Sequence, residues 1–308
     1  MNAAIETANL AKHYHGVRAV DGLSLCVAQG EIYAFLGLNG AGKTTTIRML
    51  LGMVKATSGE AHVLGSRIRI GERKPWASVG YLVETANAYP ELSVRENLEA
   101  MRRLRPGTWP DAVSRVIERL GLSAYADRRA GTLSLGNVQR LGLAKALLHN
   151  PALLILDEPA NALDPAGIVE IRNLLLELAR GQGVTVFMSS HILGEVSRLA
   201  QRIGIIHQGR LIQELDVAEL EHNRSRRLLV RVRDCQGAQA ELLKAGIAAE
   251  IKHEDLIEIK QLHAIEHPEL VSTLLVHAGH PPAMLNVEQE ELEQYFLRLV
   301  GVDGVSAP

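Results

Sequence analysis

The residues Gly37-Leu38-Asn39-Gly40-Ala41-Gly42-Lys43-Thr44 fit the pattern G-x-x-x-x-G-K-[ST] without a mismatch. Residues of these types at this spacing bind phosphate. The glycines let the backbone turn tightly enough to aim several N–H groups at phosphate oxygens, and a following helix adds the positive end of its dipole. Lys43 is placed to reach the outer phosphates and Thr44 to offer a hydroxyl to magnesium, with Thr45 completing the nucleotide-binding set. A second group with chemical potential is Asp157-Glu158-Pro159, which closes the apolar run Ala152–Leu156. Asp157 suits a magnesium ligand, direct or through water, and Glu158 suits a base that polarises the water attacking a γ-phosphate. His191 follows the apolar run Val184–Met188 and Ser189-Ser190, again where it can reach a γ-phosphate. Ser134 and Gly136, just ahead of a helix, form a second small anion-binding geometry, although Ser134 alone reads better as a plain N-cap. Tyr14 is placed either to stack on a base or to sit half-buried in a strand, and position alone favours the strand.

These residues need a scaffold that brings strand ends together. Ile32–Leu36, Ala152–Leu156 and Val184–Met188 are apolar throughout, as parallel strands buried on both faces are. In open α/β sheets ligands bind at the carboxyl ends of such strands, which is where the loop, the Asp-Glu pair and the histidine fall. Residues 3–36 read as short strands punctuated by Gly16, Gly22 and Gly30, and Thr57-Ser58-Gly59-Glu60 reads as a turn ahead of strand Ala61–Leu64. Ser78–Glu84 reads as a strand ending in an acid. Ser93 with Glu96 forms a capping box that opens a helix to about Leu104. Pro106, Gly107 and Pro110 interrupt, and Ala112, Val113, Val116, Ile117 and Leu120 recur at helical spacing. Residues 93–130 therefore look like a helical insert in an α/β frame. Val138–Leu148 and Ile168–Leu178 read as helices, and Ile203–Ile206 with Arg210–Ile212 as a closing hairpin around Gln208-Gly209. Composition shifts to charge across Glu219–Arg227, marking a domain junction. Beyond it the order strand, helix, strand, strand, helix, strand suggests a small ferredoxin-like α+β domain, followed by a last helix, Glu290–Val300.

Composition narrows the function classes. The 308 residues suggest about two domains. With 33 basic against 35 acidic residues the net charge is −2, which gives no footprint for nucleic acid. No apolar run approaches the ~18 residues of a membrane span, and the first residues lack the basic and apolar regions of a signal peptide. Cys26 and Cys235 lie far apart and form no metal pattern, which favours thiols in a reducing compartment. The chain reads as cytoplasmic, with any membrane role exercised through a partner.

The ordered set of motifs over residues 4–215 resembles the ATP-binding subunit of an ABC transporter. Gly37–Thr44 looks like Walker A, Leu133-Ser134-Leu135-Gly136-Asn137 like the LSxGQ signature, and Leu153–Glu158 like Walker B with its catalytic glutamate. Asp164 matches the D-loop aspartate, His191 the switch histidine, and Tyr14 the aromatic A-loop position. Two positions depart from the family pattern. The signature ends in Asn137 instead of Gln, with Ser134 and Gly136 intact, and the Q-loop position holds Glu84. The Glu84 variant resembles the bacitracin-export and lantibiotic-immunity branch, and Leu292-Glu293-Gln294-Tyr295-Phe296-Leu297-Arg298-Leu299 is similar to the ending of drug-export ATPases.

The resemblance implies an α/β fold: a P-loop NTPase core with an antiparallel β subdomain and an α-helical subdomain. The expected domains are 1–218, with the helical subdomain at about 85–150, and a C-terminal accessory domain at 219–308. It also implies ATP and Mg2+ as cofactors, a membrane-spanning permease subunit, and a second ATP-binding subunit, read as a copy of this chain. The location implied is the inner face of the cell membrane. Two subunits would close head to tail over two ATP molecules, each lending Ser134 and Gly136 to the other's nucleotide. Closure would be passed to the permease near Glu84 and the 85–105 segment. The expected role is to power export of a peptide antibiotic, drug or similar amphiphile. Two other roles compete: an ATP-gated regulatory or immunity partner of a membrane protein, and a soluble ABC ATPase acting on ribosomes or DNA. Against the last stand a single cassette, the near-neutral charge and the absence of a sustained heptad between Thr44 and Leu153.

Overall fold

Strands that are apolar on both faces need hydrogen-bonded neighbours on both edges and a layer above and below. The computed structural model describes residues 3–71, 74–84, 87–105 and 107–301. The reading of Pro106 as a helix breaker, and of residues 85 and 86 as the start of the helical subdomain, falls outside them. The chain divides into two compact units, Met1–Val217 and Ala218–Pro308.

The first unit opens with a hairpin of two long strands, β1 (Ala3–Tyr14) and β2 (Val17–Ala28), turned by His15 and Gly16, both at positive φ. β3 (Ile32–Leu36) runs into α1 (Lys43–Leu50). β4 (Ser58–Val63) and β5 (Ser66–Arg67) follow, then β6 (Val79–Leu82). α2 (Val94–Arg103), α3 (Ala112–Arg119) and α4 (Leu135–Leu147) come next. The unit ends with β7 (Leu153–Asp157), α5 (Pro165–Gln182), β8 (Thr185–Ser190), the short α6 (Leu193–Val196), β9 (Arg202–His207) and β10 (Arg210–Asp216).

Two sheets result. One is antiparallel, in the order β2-β1-β4-β5. The other has the order β10-β9-β3-β8-β7-β6, parallel except for β10, which pairs antiparallel with β9. Leu23, Val27 and Val63 from the first sheet share one core with Tyr33, Phe35, Ile155 and Phe187 from the second and with Ile47 and Leu50 of α1. The Tyr33 and Phe187 rings stack at 5.6 Å. Burying each large side chain of this kind contributes about 1.5–3 kcal/mol, which fixes β3 against β8.

The first strands differ from the short segments expected. Gly22 and Gly59, expected as turns, lie inside β2 and β4. Asn9 and Gly22 both have positive φ, and the β1–β2 register shifts beside them, as a bulge requires. Gly59 sits so close to β1 that a Cβ would stand 2.1 Å from the Asn9 carbonyl oxygen. The acid-ended strand stops at Leu82, two residues before Glu84. The capping box is present: the Ser93 hydroxyl accepts from Glu96 N–H and the Glu96 carboxylate accepts from Ser93 N–H. α5 starts at Pro165, earlier than its apolar periodicity, because Asp164 caps it.

One buried side chain knots the helical layer. Asn97, 1% exposed, donates to the carbonyls of Tyr89, Leu92 and Ser93, and its own carbonyl accepts from Tyr89 N–H and from the Lys145 ammonium of α4.

α7 (Val217–Asn223) begins at the last residue of the first unit and leads in the second to β11 (Arg226–Arg231), α8 (Cys235–Lys244), β12 (Ala249–His253), β13 (Leu256–Ile259), α9 (Leu262–Glu266), α10 (Pro268–His277), β14 (Met284–Gln289) and α11 (Leu292–Leu299). Its antiparallel sheet has the order β12-β13-β11-β14. Leu228, Val230, Ile257 and Ile259 pack on Leu242, Val271 and Leu275 of the helices.

Candidate nucleotide-binding and catalytic site

The sheet order places β3, β8 and β7 side by side, and the parallel register sets their ends level. Leu36 pairs with Ser190, and Asp157 with Ser189. Gly37, His191 and Glu158 therefore leave the sheet along one edge.

The loop after β3 has the shape its glycines require. A Cβ on Gly37 would stand 2.6 Å from the Ile206 carbonyl oxygen, and one on Gly42 would stand 2.4 Å from that of Ala19. Gly42 also has φ +108° and is the N-cap of α1, so the first free N–H groups of the helix point into the loop. Ala41 is tied down by Gly209 N–H at 2.9 Å, from the β9–β10 turn. Leu38 and Asn39 are exposed at the loop's outer side, with Gly40 beside them at φ +80°.

Lys43 starts α1 and is 6% exposed. Its ammonium donates to the Gly37 carbonyl at 2.6 Å and lies 3.5 Å from Glu158 Oε1. Thr44 donates its hydroxyl to Asp157 Oδ2 at 2.8 Å, and Ser189 donates to Oδ1 of the same carboxylate. Thr45 follows in the same turn of helix. The other Glu158 oxygen, Oε2, lies 2.8 Å from His191 Nδ1. Lys43, Thr44, Asp157, Glu158 and His191 are thus brought together.

Glu158 is held in an uncommon conformation, φ +50°. Two side chains clamp its backbone. Ser189 Oγ accepts from the Glu158 N–H at 3.0 Å, and Gln139 Nε2 donates to the carbonyls of Glu158 and Pro159, both at 3.2 Å. Sequence reasoning gave neither residue a role. The signal for Gln139 was a polar residue within the apolar face of α4, where it is 6% exposed.

The remaining expected residues stand apart from this cluster. Ser134 is the N-cap of α4 and accepts from Asn137 N–H at 3.3 Å, while Gly136 lies within the first turn, not ahead of it. A Cβ on Gly136 would stand 3.2 Å from the Ala162 carbonyl oxygen, so this turn rests on the segment after Glu158. Asp164 accepts from Gly167 N–H at 2.9 Å. Glu84, at φ +58°, is paired with Arg48 of α1 at 2.6 Å, not with Lys43 or Thr44. Tyr14 is 41% exposed at the end of β1, more open than a half-buried strand aromatic, with the Lys12 ammonium 4.7 Å from its ring centre.

Beside Glu84 runs a groove of about 510 Å³, lined by Arg48, Met53, Tyr81, Tyr89 and Met101 among others. Arg105 continues it towards His149, whose Nε2 lies 2.7 Å from the guanidinium. The same Nε2 lies 3.1 Å from the Val79 carbonyl, and Nδ1 is buried with no hydrogen-bond partner among the described residues. Burial first, and the Arg105 charge second, hold the His149 pKa down at about 4. Unfolding releases it to about 6.5, so the unfolded chain binds more protons between those values. Stability should therefore fall as pH drops from about 6.5 to about 4 and lose nothing further through this group below that. His149→Gln should flatten that part of a urea-stability profile, and identical profiles would contradict the assignment.

Comparison with known proteins bears on the family of the chain. The family model described as ABC transporter matches residues 20–161. The chain is 38% identical over 304 residues to the bacitracin transport ATP-binding protein BcrA of Bacillus licheniformis, covering 98% of each. It is 34% identical over 307 residues to the daunorubicin/doxorubicin resistance ATP-binding protein DrrA of Streptomyces peucetius, covering 97% of this chain and 92% of that one. Among solved structures, a dimeric bacterial ABC transporter cassette superposes with a TM-score of 0.64 at 25% identity, over 69% of this chain and 98% of that chain. With a relative 38% identical over 98% of each chain, this chain belongs to the ATP-binding subunits of ABC transporters.

Proposed function

We propose that this ATPase drives movement of a peptide antibiotic, drug or similar amphiphile through a separate membrane-spanning subunit. The observation that carries the ATPase half is the meeting of Lys43, Glu158 and His191 within single contacts of one another at adjoining strand ends. The cargo half follows from the names of the relatives, which are bacitracin transport and daunorubicin/doxorubicin resistance proteins.

In this reading the N–H groups of residues 37–45 hold the phosphates and Lys43 neutralises the outer ones. Glu158 takes a proton from the attacking water, and His191 contacts the γ-phosphate while orienting the Glu158 carboxylate. Tyr14, exposed at the end of its strand, offers a ring for the base. Magnesium fits the set formed by the Thr44 hydroxyl and the Asp157 carboxylate, hard oxygen donors converging on a buried acid that is 2% exposed. When bound there it would neutralise charge on the β- and γ-phosphate oxygens. Ser134 and Gly136 would complete the site of a second copy of this chain, and Asp164 would lie at that interface. The groove beside Glu84 would receive the membrane subunit, which would hold the protein at the inner face of the cell membrane. Among the described residues no helix is long and apolar enough to cross a membrane itself. The interleaved strand order of the second unit supports a ferredoxin-like accessory domain.

The test is co-expression with a candidate six-helix membrane protein, purification through a tag on this chain, and ATPase assay in vesicles. Co-purification and a several-fold rise in ATPase on adding the cargo amphiphile are expected. Sedimentation with ribosomes and not with membranes would overturn the transport role.

A further inference from the structure

α4 carries two contacts that belong to different ends of the chemistry. Its N-cap is Ser134, the residue read above as engaging the facing subunit's nucleotide. Five residues on, Gln139 points inward, 6% exposed, and donates to the carbonyls of Glu158 and Pro159. Five residues of helix span about 7.5 Å, so both contacts sit on one stiff rod. Arg140, next along, anchors the same rod to Glu170 of α5 at 2.7 Å and to the Leu120 carbonyl at 3.1 Å.

The position at which Gln139 acts is unusual. Glu158 adopts φ +50°, a conformation that a non-glycine residue keeps only when its surroundings enforce it. On one side Ser189 fixes the N–H. On the other, the carbonyl has Gln139 and the N–H of Asn161 as donors. A small rotation of this peptide swings the carboxylate, which among the described residues is held by Lys43 at 3.5 Å and His191 at 2.8 Å. The donor that sets the peptide's angle thus rides on the helix that meets the other nucleotide.

We propose that Gln139 is a positioning residue that couples the two sites of the dimer, aligning Glu158 of its own chain when Ser134 at the head of the same helix seats on the facing subunit's ATP. This rests on the composite-site reading above. Glu158 is the group that meets the water. Gln139 touches neither water nor nucleotide and acts through the Glu158 backbone. The chemistry requires the amide N–H and not merely the volume, because without it the Pro159 carbonyl loses this donor and the Glu158 carbonyl keeps only that of Asn161, which shifts the balance of forces on the peptide.

Gln139→Met keeps length and apolar packing and removes the donor. Its kcat should fall about 10- to 100-fold, the scale of a misplaced catalytic group, with KM for ATP unchanged. The double variant Gln139→Met/Glu158→Gln should form the same ATP-dependent dimer by size-exclusion chromatography as Glu158→Gln alone, which also reports that the chain is folded. Wild-type kcat in Gln139→Met overturns the proposal while leaving the composite site standing. So does a loss confined to KM, or a double variant that fails to dimerise where Glu158→Gln succeeds. If Glu158→Gln alone hydrolyses at the wild-type rate or never dimerises with ATP, the composite site falls and Gln139's coupling role falls with it.

Discussion

Glu158→Gln should leave ATP bound, cut hydrolysis by about 100- to 10,000-fold and trap two chains around the nucleotide. The factor is the usual worth of a positioned general base and corresponds to about 3–5 kcal/mol of barrier. The substitution is informative because so little else changes. The glutamine amide keeps an oxygen for His191 Nδ1, the Ser189 and Gln139 contacts are to the backbone, and Lys43 retains its 2.6 Å bond to Gly37. What is lost is the negative charge beside Lys43 and the capacity to take a proton from water. A closed dimer that cannot hydrolyse should then accumulate on ATP addition, read by size-exclusion chromatography and by phosphate release. Wild-type turnover in this variant would remove Glu158 from the mechanism.

Lys43→Ala should weaken ATP binding by about tenfold to a hundredfold, the effect of losing one charge-assisted hydrogen bond of about 1.5–3 kcal/mol. The position makes this more than the loss of a surface charge. Lys43 is 6% exposed, its ammonium closes the loop onto the Gly37 carbonyl, and it stands beside Glu158. Removing it frees the carbonyl that begins the loop and leaves the Glu158 carboxylate without its nearby cation. Titration of a fluorescent ATP analogue measures the change, and an unchanged Kd would count against the cradle. The circular dichroism melt should move little compared with the affinity, because α1 keeps Ile47, Met49 and Leu50 in the core.

The elements of the candidate site were legible because their sequence signals are local. An apolar run followed by Gly37–Thr44, another followed by Asp157-Glu158, and a third followed by His191 each describe a strand and its carboxyl end. Only the sheet order shows that these ends adjoin, and the pairs Leu36–Ser190 and Asp157–Ser189 supply that. The β hairpin was less legible. Gly22 and Gly59 have the positive φ of a turn and also of a bulge, and the partner strand alone distinguishes the two. Gln139 and Ser189 were visible as residues but not as parts of the site. Their contacts reach 19 and 31 positions along the chain to a single peptide, and no spacing rule encodes that. Glu84 was read for its place in the Q-loop, and its ion pair with Arg48 of α1 belongs to the tertiary structure alone.

The Asn97 knot has a mechanical consequence. The corner from Tyr89 to Ser93 is bound to α2 through the Asn97 amide and to α4 through Lys145, so its compliance is low. A force applied at the groove, where Tyr89 is exposed, is not absorbed by a yielding loop. It would displace α2 and α4 together, as a push on one end of a strut appears at the other. Ser134 and Gln139 sit on that strut. A load arriving from a membrane subunit docked as proposed would therefore be delivered to the Glu158 peptide as displacement, and work done at the nucleotide would return along the same path in the opposite sense.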